Sequence, residues 1–231
     1  MQVVVLAGGL GTRLWPLTRQ CPKPMVPVAG APFLEHQLRM LARQGFDDIV
    51  LLTGYLGEQI EEHFSDGASL GLRVRYSREP APLGTGGALR LARPLLAETF
   101  LLLYGDSYLP IDYRSVADHL DSTQALGVLV AHRASPAAGG LTGNLVTNDE
   151  GFLVCYDKRP DREGDFPYVD AGVLALRRAV VDLVGAGRVS LEERIFPALA
   201  ARRALLVVPT TERFYDIGTM AGLAAIQPVL G

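Results

Sequence analysis

Residues 3–18 read VVVLAGGLGTRLWPLT. Val3–Leu6 is a wholly apolar run of the kind covered on both faces of a sheet, and it leads straight into Gly8, Gly9, Gly11, Thr12 and Arg13. Glycines at the carboxyl end of a strand let backbone N–H groups approach phosphate oxygens, and the Arg13 guanidinium adds a fork suited to a polyphosphate. Neither familiar phosphate loop fits. A Walker loop needs Gly-Lys-Ser/Thr after four spacers, and the dinucleotide fingerprint needs a third glycine where Leu14 stands, then a helix that Pro16 would interrupt. The alternative is a glycine-rich surface turn.

The pattern repeats along the chain. Apolar runs at Ile49–Leu52, Val74–Tyr76, Phe100–Tyr104 and Leu126–Ala131 predict further buried strands. Between them, Pro32–Arg43 places Phe33, Leu34, Leu38 and Leu41 on one helical face, and Gly57–Phe64, Ala88–Leu96 and Tyr113–Leu120 also predict helices. Strand alternating with helix predicts an α/β protein, a three-layer α/β/α sandwich with a mostly parallel, mixed sheet. After Ala134 the rhythm changes. Leu141–Val146 and Phe152–Tyr156 predict a hairpin about Asn148-Asp149-Glu150-Gly151, followed by a strand at Tyr168–Leu176 and helices at Ala179–Val184 and Leu191–Ala200. A strand at Ala204–Val208, an apolar stretch at Phe214–Ile217 and a helix from Thr219 close the chain. With no linker or repeat, a single domain over residues 1–231 is expected.

Composition excludes several classes. Of 231 residues 48% are hydrophobic and 20% charged, enough apolar material for a full core, and the 25 glycines show no three-residue period, so disorder and collagen are excluded. Acidic residues number 25 against 22 basic, with no basic tract, so neither nucleic acid nor a membrane surface is an expected partner. The start, MQVVVLAGG, lacks a basic n-region, and apolar runs stay short, which predicts a soluble, cytoplasmic protein. Cys21 and Cys155 share no ligand or disulfide spacing. His36, His63, His119 and His132 form no cluster and no Ser/His/Asp set is legible, so hydrolase chemistry is not expected.

Other residues carry chemistry by position. Lys23 lies between Pro22 and Pro24, a stiffly held cation near the glycine loop. Asp106 follows Gly105 at the end of the Phe100–Tyr104 run, at the sheet edge where open α/β folds bind ligands; a helix cap is the alternative. Asp216 follows Phe214-Tyr215, either as an N-cap of the last helix or, with Asp106, as a ligand of Mg²⁺. Gly84-Thr85-Gly86-Gly87 would open a helix with free N–H groups.

LAGGLGTRLWPLTRQCPKPMVPVAGAPFLEHQL resembles the N-terminal signature of the sugar-1-phosphate nucleotidylyltransferases. YSREPAPLGTGGALRLA is similar to that family's base-pocket loop, LLLYGDSYL to its metal-binding Gly-Asp, and YDKRP to its second-lysine segment. YVDAGVLALRR resembles its sugar strand, SLEERIFPALA its sugar-contacting Glu segment, and FYDIGT its second metal Asp. The resemblance implies a Rossmann-like, GT-A-like nucleotidyltransferase fold. It implies nucleotide binding by Leu6, Ala7, Gly8, Gly9, Gly11, Thr12, Arg13, Glu79, Gly84 and Thr85, and sugar-phosphate binding by Lys158, Asp170, Gly172 and Glu192. Arg13, Lys23 and Asp106 would be catalytic, and Asp106 and Asp216 would hold Mg²⁺. The implied substrates are an NTP, with GTP favoured over UTP or dTTP, and a sugar 1-phosphate; since the family places the nucleobase near the Gly84–Gly87 loop, Glu79 would either accept from guanine's N1–H and amino group or face solvent. A cytidylyltransferase of phosphorylated alcohols and a non-catalytic nucleotide-sugar-binding subunit are the rivals, and a homo-oligomer is compatible. One departure stands out: Asp170 precedes Ala171-Gly172 where the family usually has Asn, which keeps acceptors but loses the amide donor. Against larger members, no C-terminal solenoid or fused acyltransferase is expected.

Overall fold

The computed structural model describes residues 1–134, 142–159 and 165–231. The chain runs β1 (Gln2–Leu6), β2 (Pro27–Val28), β3 (Ala31–Pro32), α1 (Phe33–Arg43), β4 (Asp48–Thr53), α2 (Gly57–Phe64), β5 (Arg73–Arg78) and α3 (Gly84–Leu91). It continues with β6 (Thr99–Tyr104), β7 (Ser107–Tyr108), α4 (Tyr113–Asp121), β8 (Gly127–Arg133), β9 (Leu145–Thr147) and β10 (Leu153–Tyr156). The last elements are β11 (Tyr168–Arg177), α5 (Phe196–Ala200), β12 (Leu205–Thr210), β13 (Tyr215–Asp216) and α6 (Met220–Leu230).

β1 is central. It pairs in parallel with β4 and β6, and β4 in parallel with β5. β11 runs antiparallel between β6 and β8, and β12 lies parallel beyond β8, so the sheet is mixed but mostly parallel. Neighbouring residues of β1 feed opposite cores. Val3 and Val5 pack with Phe33, Leu38, Ile60 and Tyr113, whereas Val4 packs with Leu89, Phe100, Leu191 and Phe196. Apolar helices therefore cover both faces, which is why the strands show no alternation and why the molecule is a three-layer α/β/α sandwich.

Several boundaries differ from expectation for local reasons. The helix expected at Ala88–Leu96 starts at Gly84 and stops at Leu91, followed by a 3₁₀ turn at Arg93–Leu95; Pro94 has no N–H to continue it. Arg178–Leu183 is 3₁₀, with the β-branched pair Val180-Val181 inside. Leu191–Ala200 divides into a π turn, Leu191–Ile195, and α5, because Pro197 offers no N–H. The Phe214–Ile217 stretch contributes only the two-residue β13, paired antiparallel with β7. The hairpin forms as β9 and β10; Leu141, at its expected start, lies outside the described residues, as does Pro160 of YDKRP.

Candidate active site

The parallel strands β1, β4 and β6 end at one edge, and the loops leaving that edge line a cleft of about 450 Å³. Leu6, Ala7, Gly8, Gly9, Gly11, Thr12, Lys23, Glu79, Gly84, Thr85, Asp106, Lys158 and Glu192 all border it. Arg13 borders an adjoining cavity of about 490 Å³ with Asp106, Lys158, Asp170 and Asp216. The two cavities share Tyr104, Asp106 and Lys158. Residues separated by most of the chain thus meet at the carboxyl edge of the sheet, where ligands of open α/β folds bind.

The charged centre is built by the small ribbon of β7 and β13. Asp216 lies opposite Ser107, and Ile217 N–H donates to the Asp106 carbonyl at 2.9 Å, which sets the two carboxylates side by side. Buried Lys23 puts Nζ 2.5 Å from Asp106 and 3.9 Å from Asp216, and Arg13 stands 3.8 Å from Asp216. Gly218 admits this crowding: a Cβ there would lie 2.6 Å from the Arg13 guanidinium and 2.9 Å from Lys23 Nζ. Neither aspartate is a helix cap. Thr219 caps α6 by accepting from Gly222 N–H, and Asp112 caps α4. Two hard carboxylate oxygens converging on one cationic atom fit Mg²⁺, which takes few carboxylates and completes its shell with phosphate and water. Among the described residues no group of three or more His, Cys, Asp or Glu could hold a metal.

A second charged group forms the far wall. Glu192 accepts from Thr85 Oγ1 at 2.6 Å, Ser190 Oγ at 2.7 Å, the Tyr104 hydroxyl at 2.8 Å and Lys158 Nζ at 3.3 Å. Burial pushes its pKa up, yet the Lys158 charge and the Thr85 and Ser190 hydrogen bonds bring it down to about 2. Lys158 Nζ also lies over the rings of Tyr104 and Tyr156, 5.5 and 5.6 Å from their centroids. Asp170 is buried; it accepts from Gly172 N–H at 2.8 Å and the Tyr156 hydroxyl at 2.9 Å, and burial raises its pKa against the pull of Lys158.

One expectation needs correction. Gly86 and Gly87 N–H are not free: both donate to the Val189 carbonyl, at 2.9 and 3.1 Å, because the 188–191 segment closes over the start of α3. Glu79 has one oxygen committed, accepting from Leu83 N–H at 2.8 Å, and burial pushes its pKa up. Glu192 accepts from four other side chains and so ties α3, β6 and the Lys158 segment into one wall of the cleft. The Gly172 N–H is spent on Asp170, and at φ +74 its missing Cβ leaves room for Ser107. Residues not read from sequence also stand here. Gln37, on α1, donates to the carbonyls of Tyr104 and Ser107, which bracket Asp106. Exposed Arg188 borders the cleft, and Asn144 borders the second cavity. A lone arginine, an asparagine or a helix glutamine gives no sequence signal of its own.

Fold and cleft together define a class: α/β proteins that present a glycine-rich loop and converging cations at the carboxyl edge of a largely parallel sheet. A model of the nucleotidyl transferase family matches residues 2–229, and the chain belongs to that family. It is 38% identical over 225 residues to a mannose-1-phosphate guanylyltransferase of Mycobacterium tuberculosis, covering 95% of this chain and 61% of that protein. It is 28% identical over 213 residues to a UTP–glucose-1-phosphate uridylyltransferase of a Synechocystis species, covering 86% of this chain and 55% of the relative. The chain therefore spans about three fifths of the length of the curated relatives it matches. HddC from Yersinia pseudotuberculosis superposes with a TM-score of 0.85 at 25% identity, covering all of this chain and 99% of that one.

Proposed function

We propose that residues 1–231 act as one nucleotidyltransferase domain that transfers a nucleotidyl group from GTP to a sugar 1-phosphate, releasing pyrophosphate, in the cytoplasm and with Mg²⁺. The observation that carries this reading is the pair of adjoining cavities sharing Asp106 and Lys158, with Lys23 and Arg13 beside the partition. The glycine loop side takes the nucleotide and the Asp170 side the sugar 1-phosphate. The sugar phosphate is already an anionic nucleophile: its oxygen attacks the α-phosphorus, the bond to the β-phosphate oxygen breaks, and pyrophosphate leaves. Such a reaction needs alignment and charge neutralisation more than a general base. Lys158 holds the incoming phosphate, Lys23 the phosphates at the reacting centre, and Arg13 the leaving pyrophosphate. Asp106 and Asp216 would hold Mg²⁺, which when bound would supply charge neutralisation to the phosphates.

Two features support guanine. The relative at 38% identity is named a guanylyltransferase, and among the described residues Glu79 keeps one oxygen uncommitted at the edge of the cleft. A carboxylate pairs with guanine's donors but opposes the O4 acceptor of uracil or thymine. The test is pyrophosphate release with Mg²⁺, each common NTP or dTTP, and a panel of sugar 1-phosphates. GTP with a hexose or heptose 1-phosphate is expected to be fastest. Faster release with UTP or dTTP would replace the base assignment, and no release with any pair would sink the reading. Asp106→Asn and Asp216→Asn are each expected to lower turnover about 10²-fold or more with the fold intact, the scale of losing a main electrostatic stabiliser.

A further inference from the structure

Asn144 stands on the second cavity with Asp170, and its polar atoms can be accounted for one by one. Its N–H donates to the Tyr168 carbonyl at 2.7 Å, and its carbonyl accepts from Asp157 N–H at 2.8 Å. Its side-chain Oδ1 accepts from the Asp170 N–H at 2.9 Å. Because that partner is a backbone donor, the oxygen must face it and the amide NH₂ must face the other way. Among the described residues, nothing accepts from Nδ2. A half-buried amide bordering a cavity with two unspent donors is a group waiting for an acceptor.

Asp170 is complementary. Its oxygens take Gly172 N–H and the Tyr156 hydroxyl, each keeping a further lone pair, so it can accept but cannot donate while ionised. The register shift of β11 against β8 between Asp170 and Val173 bends the strand here, and the Asn144 hydrogen bond ties the neighbouring β9 end to that bend. Side by side, Asn144 and Asp170 offer one donor and one acceptor. A sugar hydroxyl, which both accepts and donates, satisfies the two together.

We infer that Asn144 is a specificity-determining residue of the sugar cavity, donating through Nδ2 to a sugar hydroxyl that donates in turn to Asp170, and so supplying the amide donor that Asp170 lacks. This rests on the proposed use of that cavity for the sugar 1-phosphate. A site that hydrogen-bonds a hydroxyl rejects the analogue lacking it, because its own polar groups are left unpaired.

The experiment measures kcat/KM for the preferred sugar 1-phosphate and its singly deoxygenated analogues, with wild type, Asn144→Ala and Asn144→Asp. Asn144→Asp keeps an acceptor for the Asp170 N–H but loses the donor; Asn144→Ala loses both and adds no charge. Wild type is expected to discriminate against one deoxy analogue by about tenfold or more, and both variants to lose most of that discrimination while the KM for the nucleotide stays within about twofold. Equal losses on every analogue, or retained discrimination in Asn144→Asp, would reduce Asn144 to a brace for β11 and overturn the inference while leaving the reaction standing. Absence of turnover by wild type with every sugar 1-phosphate would instead overturn the reading of the cavity itself, and the inference with it.

Discussion

At the scale of single residues, Glu192 and Gly218 show how closely charge is managed around the cleft. Glu192 shifts from the ordinary 4.5 to about 2, so its stabilising effect is complete above about pH 4.5 and is lost as pH falls toward 2. Glu192→Gln is therefore expected to lower stability at pH 7 by about 1–3 kcal/mol, the cost of disturbing a buried, hydrogen-bonded carboxylate. That difference should shrink on acidification, and chemical denaturation at pH 7 and pH 3 would check it; an equal loss at both would assign the effect to packing. Gly218 makes a different point. A Cβ would lie 2.6, 2.7 and 2.9 Å from Arg13 Nη2, Asp216 Oδ1 and Lys23 Nζ, all ends of side chains that can move without unfolding the chain. Gly218→Ala should leave the melting temperature nearly unchanged but reduce turnover about tenfold or more by displacing the charges proposed to stabilise the transition state. Unimpaired turnover would show that these positions are not critical.

At the scale of elements, the Asp106 carboxylate is aimed by α1. Gln37 is 1% exposed and its amide spans the carbonyls of Tyr104 and Ser107, at 3.0 and 2.5 Å, which ties the loop to the helix. Among the described residues its own Oε1 is buried without a partner, a cost accepted to hold the loop. Gln37→Leu would fill the same space and take the amide donor from two part-buried carbonyls. A stability loss of about 1–3 kcal/mol is expected, accompanied by a raised Mg²⁺ requirement, since the loop presents one of the two proposed ligands. Urea midpoints and Mg²⁺ titration of turnover measure the two effects separately, and an unchanged Mg²⁺ requirement would confine Gln37 to a packing role. The β7–β13 ribbon completes the device by bringing Asp216 alongside.

At the scale of the whole molecule, the cleft draws on segments from Leu6 to Glu192, spanning both sides of the sheet. Ligand binding should therefore couple to global unfolding rather than to one lobe. GTP with Mg²⁺ at a hundred times its dissociation constant should stabilise the native state by about 2.7 kcal/mol. The thermal unfolding midpoint should rise with GTP more than with UTP at equal concentration; equal shifts would count against the base assignment.

The same scale separates what was legible in the chain from what was not. Runs such as Val3–Leu6 and Phe100–Tyr104 declare buried strands by composition alone, and the glycine loop, Lys23, Asp106 and Asp216 stand out because each sits at a strand end or between prolines. These are local signals, and a local reading suffices for them. What the chain could not show is which donor reaches which acceptor. That Val189 consumes the Gly86 and Gly87 N–H groups, that four side chains converge on Glu192, and that Asn144 faces Asp170 follow from tertiary packing, strand register and the bend in β11. The sequence determined the sheet, the order of its elements and the residues at its carboxyl edge, because periodicity and turn chemistry act between near neighbours. Only the tertiary structure decided how those residues share their hydrogen bonds, because each group has few bonding positions and partners far along the chain compete for them once the sheet has closed.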